Sequence, residues 1–591
     1  MAWLTQYRNA EALELYLGDP LNPENLFSFH HCLELDEQDA YPEDICQLLY
    51  DWNLHLYYIP VANGGKLKSF EEVLAISRTI ARRDLTVAIA HGVTYLGATP
   101  VWIAGSDAQK QQVAQRIKNH ERISFGLTER NHGSDILNNE TAVEAGENGY
   151  RLSGEKWLIG NATRATALTV FTRTNPKGGP RGFSVFLVEK DRLEPESYSN
   201  LDKIKTHGLR GANISGVKFD NSSIAADALI SSPGTGLEII LKALQVTRTL
   251  HAGAAPSLAQ ADTALRVTLD FVFSRQIYGG TVWDIPHARQ TLIEAFVDLL
   301  ICECVSFAAV RSLHVLTNQM SLFSAIIKYF VPNTVEELIR RVSAVLGARY
   351  YLREEHWYGI FQKIVRDHAI ISVFDGSSAV NLHAIALQLQ QLANYHVANN
   401  LDEVTGIREM IATIFNLNKS LPDFDPNQLE IYNRGRDYIL QSVDLAEADL
   451  AKLKTEADMD PKVLEKVINL TYILNQLIHI QNQVLIEKGL VYISKYSKST
   501  ELFDLAKSYC ILHTSVACVQ VWIHNRTILG DFFARGEWLV LCLTRLLEKL
   551  QPSLESAPEE FWDRAGDQLV KLYTDHQMFS IVPFQLADAK K

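Results

Sequence analysis

Positive charge is scarce in this chain: 56 Lys and Arg stand against 69 Asp and Glu, a formal charge of −13 over 591 residues. That balance disfavours a phosphate-backbone partner, so nucleic acid is not an expected ligand. Cysteine is thin as well, with 7 residues and no Cys-x-x-Cys spacing, and no metal site is read. The closest pair, Cys302 and Cys304, lies in an apolar helical stretch on diverging faces. The cysteines read as reduced core residues of a cytoplasmic protein. No apolar run reaches about 18 uninterrupted residues. The most apolar windows, 297–310 and 538–547, are broken by Glu303 and Arg545, so no membrane span is expected. The opening Met1-Ala-Trp-Leu-Thr-Gln-Tyr-Arg8 lacks the charged and apolar regions of an export signal. Nor does any Gly-x-Gly-x-x-Gly follow a strand; Gly234-Thr-Gly236 is half of one, and a Rossmann dinucleotide site has no support. Fixed-period repeats and low-complexity tracts are also missing.

What is present is a change of periodicity. From Asn9 to about Lys118 apolar residues recur at three and four spacing, as in Leu33, Ile45, Leu48 and Leu49, then Val73, Leu74, Ile76 and Ile80. Gly64-Gly65 marks a loop between them. From about Ile123 to Phe219 the chain alternates in short β-rich runs, including 150–152, 167–171, 183–188 and 217–219, separated by turn residues as antiparallel strands would be. Helical spacing returns after Gly236. Helices, a strand block, then helices make an α+β fold and argue against a parallel doubly wound sheet. Four domains are expected: an N-terminal helical domain at 1–120, a β-barrel-like antiparallel domain at 121–235, a four-helix bundle at 236–396 and a further helical domain at 397–591. The last boundary is read at Val397 to Glu403, and Leu421 to Pro426 reads as a loop. The apolar stripe of that last domain, Val463, Leu464, Val467, Ile468, Leu470, Ile473 and Leu474, packs on its neighbours, on a second subunit or on a membrane surface.

Four segments then become specific: Gly126-Leu-Thr-Glu-Arg-Asn-His-Gly-Ser-Asp135, Gly154-Glu-Lys-Trp-Leu-Ile-Gly-Asn161, Phe273-Ser-Arg-Gln-Ile-Tyr-Gly279, and Val365-Arg-Asp-His-Ala-Ile-Ile-Ser-Val-Phe-Asp-Gly-Ser377. Together, in this order, they resemble the signatures of the acyl-CoA dehydrogenase family over roughly residues 1 to 395. The resemblance implies FAD as cofactor, and an acyl-CoA or acyl-carrier-protein thioester as substrate. It further implies an electron-transfer partner or oxygen as acceptor, and a homo-oligomer. The C-terminal 190 or so residues resemble in kind the extra helical domain of the larger dehydrogenases and oxidases.

Each residue also has a plainer reading. Trp157 resembles the residue stacked near the flavin ring; a Trp buried between sheet and helices is the alternative. Thr128 and Ser134 look like the residues that bond the flavin, or are turn and cap formers. Arg275 is similar to the arginine that reaches the pyrophosphate, in this family commonly across a subunit interface, or it compensates a helix end. Tyr278 and Gly279 complete its motif, and Ser377 would face the cofactor. Asp375 stands where the family has the carboxylate that removes the α proton, a role that needs a desolvated base of raised pKa. Asp375-Gly-Ser-Ser before the helical run 379–392 is also a good N-cap.

Several positions depart from the family pattern. Asp375 replaces Glu and is one methylene shorter, a shift of about 1 Å that costs about 100-fold in rate if uncompensated. Aspartate at this position is similar to nitroalkane oxidases of the same superfamily. The other position used for the base is Thr247, just before Arg248. Ile159 stands where a Thr or Ser donates to the flavin, Leu346-Gly-Ala-Arg-Tyr350 replaces a glycine turn, and His287 a Gln. The resemblance therefore implies a dehydrogenase forming a 2-enoyl thioester; a flavin oxidase and a scaffold without catalysis are the other functions carried forward.

Overall fold

A computed structural model describes residues 5–146, 149–398, 405–454, 460–496 and 499–587. The boundary expected at Val397 to Glu403 falls largely outside them, as do the first four residues of the opening read for an export signal.

Six helices lead: α1 (Arg8–Leu17), α2 (Phe29–Glu37), α3 (Glu43–Asp51), α4 (Phe70–Arg83), α5 (Leu85–Ala104) and α6 (Asp107–Lys118). Val73, Leu74, Ile76 and Ile80 form the buried face of α4, as their spacing requires. Asp84 ends α4 and starts α5, its side chain accepting from Val87 N at 2.9 Å. Helix α5 is apolar on every face and is the one described helix with the length and composition to cross a membrane, yet 78% of that window is buried. This corrects the apolar windows named above. Uncharged Thr, His and Tyr residues interrupt the apolar run in α5 without lowering its overall hydropathy, and the helix lies inside the fold between the sheet and the helical bundle.

Eight strands follow: β1 (Ile123–Gly126), β2 (Ala142–Gly146), β3 (Gly149–Gly160), β4 (Ala167–Arg173), β5 (Phe183–Glu189), β6 (Tyr198–Leu201), β7 (Ile214–Ala225) and β8 (Leu229–Ile230). They form one sheet ordered β6-β7-β3-β2-β4-β5-β8, with β1 beside β4. Alternating residues, among them Leu152, Leu168, Val170, Phe186 and Val217, fill its own apolar core. The sheet is mixed, which corrects the antiparallel expectation: β1 and β2 both pair parallel with β4. The chain reverses at β3 and again at β4, leaving β1, β2 and β4 pointing the same way.

Then come α7 (Gly236–Thr249), a π-helical turn at Leu250–Ala254, α8 (Ala255–Ser274), the short hairpin β9 (Gln276–Ile277) and β10 (Gly280–Thr281), α9 (Pro286–Val315) and α10 (Met320–Leu346). Helices α11 (Ile360–His368), α12 (Ser378–Ala386) and α13 (Leu389–Ala398) close this region. The helical run expected at 379–392 is thus broken between α12 and α13. The remainder is helical: α14 (Ile407–Phe415), α15 (Tyr438–Gln441), α16 (Val443–Leu453), α17 (Pro461–Tyr496), α18 (Thr500–Asn525), α19 (Asp531–Arg535), α20 (Glu537–Leu547) and α21 (Glu559–Thr574). Helices α18, α20 and α21 lie against α9, and one apolar core runs unbroken from α1 to the C-terminal segment. All seven cysteines are buried and free.

The chain ends as a strap over buried charges. Phe579 N donates to Asp262 Oδ2 at 2.8 Å and Ile581 N to Glu303 Oε2 at 2.6 Å. These carboxylates already pair with Arg82 and Arg78, so the strap satisfies their remaining lone pairs.

Candidate active site

Two loops carry the residues singled out above. The first runs from the end of β1 to β2. Its anchor is Glu129, whose Oε1 meets buried Lys156 Nζ on β3 at 2.7 Å and whose two oxygens accept from the backbone N–H groups of Glu140 and Thr141. Burial pushes the Glu129 carboxyl up, but Lys156 and these amides outweigh it and hold it below the usual range. Burial brings Lys156 down to about 8. The pair is ionised, and it ties the loop to the sheet. Neither residue was singled out by its chemistry in the sequence, because the contact forms across 27 residues.

Loop and strand meet where Trp157 N donates to Thr128 O at 3.0 Å. Trp157 is half-buried, with the Arg130 guanidinium 4.8 Å from its ring centroid. A bulge follows: Leu158 has φ +58°, and the β3–β7 register shifts between Trp157 and Ile159. Ile159 is buried and Ser134 is exposed on the loop.

The second loop joins α11 to α12. Ser377, not Asp375, caps α12, its Oγ accepting from Val380 N at 3.4 Å. This overturns the capping alternative for Asp375. Asp375 has φ +55° and Gly376 φ +97°, two consecutive left-handed residues. Arg248 Nε donates to Asp375 O at 2.5 Å. A Cβ on Gly376 would lie 2.5 Å from Arg248 Nη2, so the guanidinium takes the space a side chain would need.

The Asp375 carboxyl accepts from Thr247 Oγ1 at 3.4 Å. Burial pushes it up, against the opposing charges of Lys328 and Arg248, and the net shift is upward. Lys328, fully buried on α10, donates to Ala252 O at 2.7 Å and to Ile371 O, and lies 4.3 Å from the Phe374 ring. Burial lowers it to about 7. Lys328 thereby ties the π-helical turn to the Asp375 loop. Its value as an anchor has no local signal; Arg248 was visible only as the residue after Thr247.

Asp375 is half-buried and opens on a cavity of about 60 Å³ walled by α4, α5, the π-helical turn and Phe374. Val93 of α5 lines it, and a Cβ on Gly160 would come within 2.8 Å of Val93, which sets the end of β3 against the cavity wall. The end of β3 and the Asp375 loop therefore both lie beside α5.

Arg275 and Tyr278 lie elsewhere, on the hairpin after α8. Arg275 is exposed, and no carboxylate among the described residues pairs with it. Tyr278, φ +52°, is 93% exposed. The structure thus groups Thr128 with Trp157 and Asp375 with Ser377, and leaves the Arg275 hairpin exposed at the surface.

A much larger cavity, about 890 Å³, lies between α19, α21 and the C-terminal strap. None of the residues singled out in the sequence lines it, so size is not the guide to the site.

Comparison with known proteins identifies the family of the fold. Residues 29–121 match the acyl-CoA dehydrogenase N-terminal domain, 124–222 the middle domain and 234–390 the C-terminal domain. A probable acyl-CoA dehydrogenase, FadE25 of Mycobacterium tuberculosis, is 24% identical over 351 residues, 59% of this chain and 88% of that protein. The structure of butyryl-CoA dehydrogenase from Megasphaera elsdenii superposes with TM-score 0.59 at 20% identity, over 65% of this chain and 98% of that one. The prolyl acyl carrier protein oxidase AnaB superposes with TM-score 0.59 at 19% identity, over 66% of this chain and 100% of that one. With three successive domain matches covering more than half its length, this chain belongs to the acyl-CoA dehydrogenase family of flavin-dependent oxidoreductases.

Proposed function

We propose that the protein oxidises the α,β carbon pair of an acyl thioester, carried on CoA or an acyl carrier protein, to the 2-enoyl thioester, with Asp375 as the base and FAD as the cofactor. The observation that carries this reading is the Asp375 carboxyl: desolvated, raised above its ordinary pKa, and opening on a small, mainly apolar cavity.

The residues present fit a flavin. Trp157 offers a half-buried planar face, Thr128 and Ser134 offer hydroxyls on one loop, and Arg275 offers an unpaired guanidinium fork for a diphosphate. Ser377 uses its oxygen lone pair for the α12 cap, so its O–H proton is free to donate. Ile159 brings no hydroxyl, and only backbone can donate at that position. Because Arg275 and Tyr278 project outward, they suit a cofactor shared with a second subunit of a homo-oligomer. Bound there, FAD supplies the acceptor for the β hydride.

The chain's own residues do the rest. Asp375 takes the α proton onto its carboxylate, whose basicity desolvation raises. No described group accepts from the Asp375 amide, which leaves that N–H to polarise the thioester carbonyl. Arg248 and the left-handed pair at 375–376 fix how far the shortened acid reaches. Residues 1–120, 121–235 and 236–396 form the catalytic body in this reading, and 397–591 buttress α9 from behind or meet the carrier. Electrons leave to an electron-transfer partner or to oxygen.

The test is to mix the purified holoprotein anaerobically with a panel of acyl thioesters and follow the flavin absorbance. Bleaching by saturated thioesters, with a 2-enoyl product, is expected; a flavin band unmoved by every thioester contradicts the reading.

A further inference from the structure

The cavity beside Asp375 is small and carries two imidazoles. Its volume of about 60 Å³ is room for about four to six water-sized groups. Most of the wall is aliphatic, including Ile80, Leu85, Ile89 and Val93, but His91 and His251 also line it. Both rings are held in place by packing and not by ion pairs. His251 stacks on Tyr95 with centroids 4.8 Å apart and sits over Gly92, where an added Cβ would lie 3.4 Å from its ring. His91, 3% exposed, has its Nδ1 2.7 Å from Tyr58 Oη.

Each ring keeps one buried nitrogen without a partner among the described residues: Nε2 of His91 and Nδ1 of His251. With the phenol of Tyr58 donating to Nδ1, His91 Nε2 carries the hydrogen and is a donor facing no acceptor. Buried polar nitrogens are rarely left unpaired, so a pair of them on two rings that border this small space points to a hydrogen-bonding ligand atom there. An aliphatic acyl tail would leave both unsatisfied and would gain more from a purely aliphatic wall.

Resting on the function proposed above, we propose that the preferred substrate is a short acyl thioester bearing an uncharged hydrogen-bonding group, such as a hydroxyl or ring nitrogen, that His251 and His91 recognise. Burial lowers His91 to about 3 and His251 to about 4, so both rings stay neutral and offer no counter-charge to a substrate carboxylate. Length is limited by the small volume of the cavity and polarity is set by the two rings. Both are positioning and specificity residues, separate from the proton transfer at Asp375.

The experiment is calorimetric binding to the holoprotein, which does not depend on turnover. The probes are thioesters of pantetheine, the thiol arm common to both carriers: butyryl, 4-hydroxybutyryl, succinyl and octanoyl. The 4-hydroxybutyryl probe is expected to bind about tenfold or more tighter than butyryl, the worth of one hydrogen bond to an otherwise unpaired buried group. Octanoyl and succinyl should bind more weakly still. His251→Phe, which keeps the stacking on Tyr95, and His91→Leu should erase the preference, while His251→Gln, which keeps a hydrogen-bonding head, should restore part of it. Thermal unfolding of each variant shows whether it is folded. Equal or tighter binding of butyryl or octanoyl, or a preference untouched in all three variants, overturns this inference alone. If no thioester binds at all, the function proposed above falls with it.

Discussion

Arg248 Nε donates to the backbone carbonyl of Asp375 at 2.5 Å, while its terminal nitrogen occupies the space beside Gly376 that any side chain would claim. One guanidinium thus fixes the backbone that carries the proposed base. Arg248→Ala removes that latch, and Gly376→Ala strains it through a φ of +97° and a clash. Each is expected to slow substrate-driven flavin bleaching about 100-fold, the cost of misplacing a reacting group by about 1 Å. Unchanged stopped-flow rates in folded protein would show that the loop holds its own geometry.

The loop before β2 depends on a different anchor. Glu129→Ala leaves Lys156, 0% exposed, as an uncompensated buried charge, a loss of about 3–5 kcal/mol. Urea unfolding measures it. Because the same loop carries Thr128 and Ser134, flavin retention through gel filtration should fall as well. Loss of stability with full flavin retention would separate the anchor from the cofactor.

Lys328 sets a pH dependence of known sign. Its folded pKa, about 7, lies below its ordinary 10.5, so between those values the unfolded chain binds the extra proton and the lysine's contribution to stability rises with pH. The stability of the protein relative to Lys328→Met should therefore increase from pH 7 toward 10, by up to about 1.4 kcal/mol for each pH unit. A flat difference would mean that the ammonium is not desolvated. The same variant removes a positive charge that lowers Asp375, so the acid limb of the bleaching rate should move to higher pH.

How much of this was legible beforehand follows from distance along the chain. The order of helices and strands, the buried face of α4 and the loop at 375–377 rest on local spacing and were readable. The parallel pairing of β1 with β4 was not, since short runs of β-formers carry no direction. Asp375 read as a good cap on residue type; backbone conformation gave the cap to Ser377 and left Asp375 lining the cavity. Glu129 with Lys156, Lys328 with Ala252, and His251 with Tyr95 are pairings across 27, 76 and 156 residues, and nothing in a single sequence announces them. His91 and His251 were not singled out in the sequence at all.

The C-terminal strap was equally invisible. Ending the chain at His576 would expose Asp262 and Glu303 and remove the buried side chains of Phe579, Ile581 and Phe584. A loss of at least roughly 5 kcal/mol is expected, seen as insoluble protein or a lowered urea midpoint. Phe579→Ala, at about 3–5 kcal/mol, gives the same direction in a full-length chain. A truncated protein as stable as the parent would show that the strap is dispensable.

Arg275 tests the cofactor assignment. It is exposed and unpaired among the described residues, so Arg275→Ala should leave the melting temperature of the flavin-free protein unchanged while weakening flavin retention. Undiminished retention would return it to a solvated helix end.

The most direct measurement is anaerobic stopped-flow of Asp375→Asn, which preserves the shape of the side chain and removes its basicity. The variant should purify with flavin bound and bind acyl thioester, yet show no substrate-driven bleaching. Bleaching at the parent rate would show that the α proton leaves by another route.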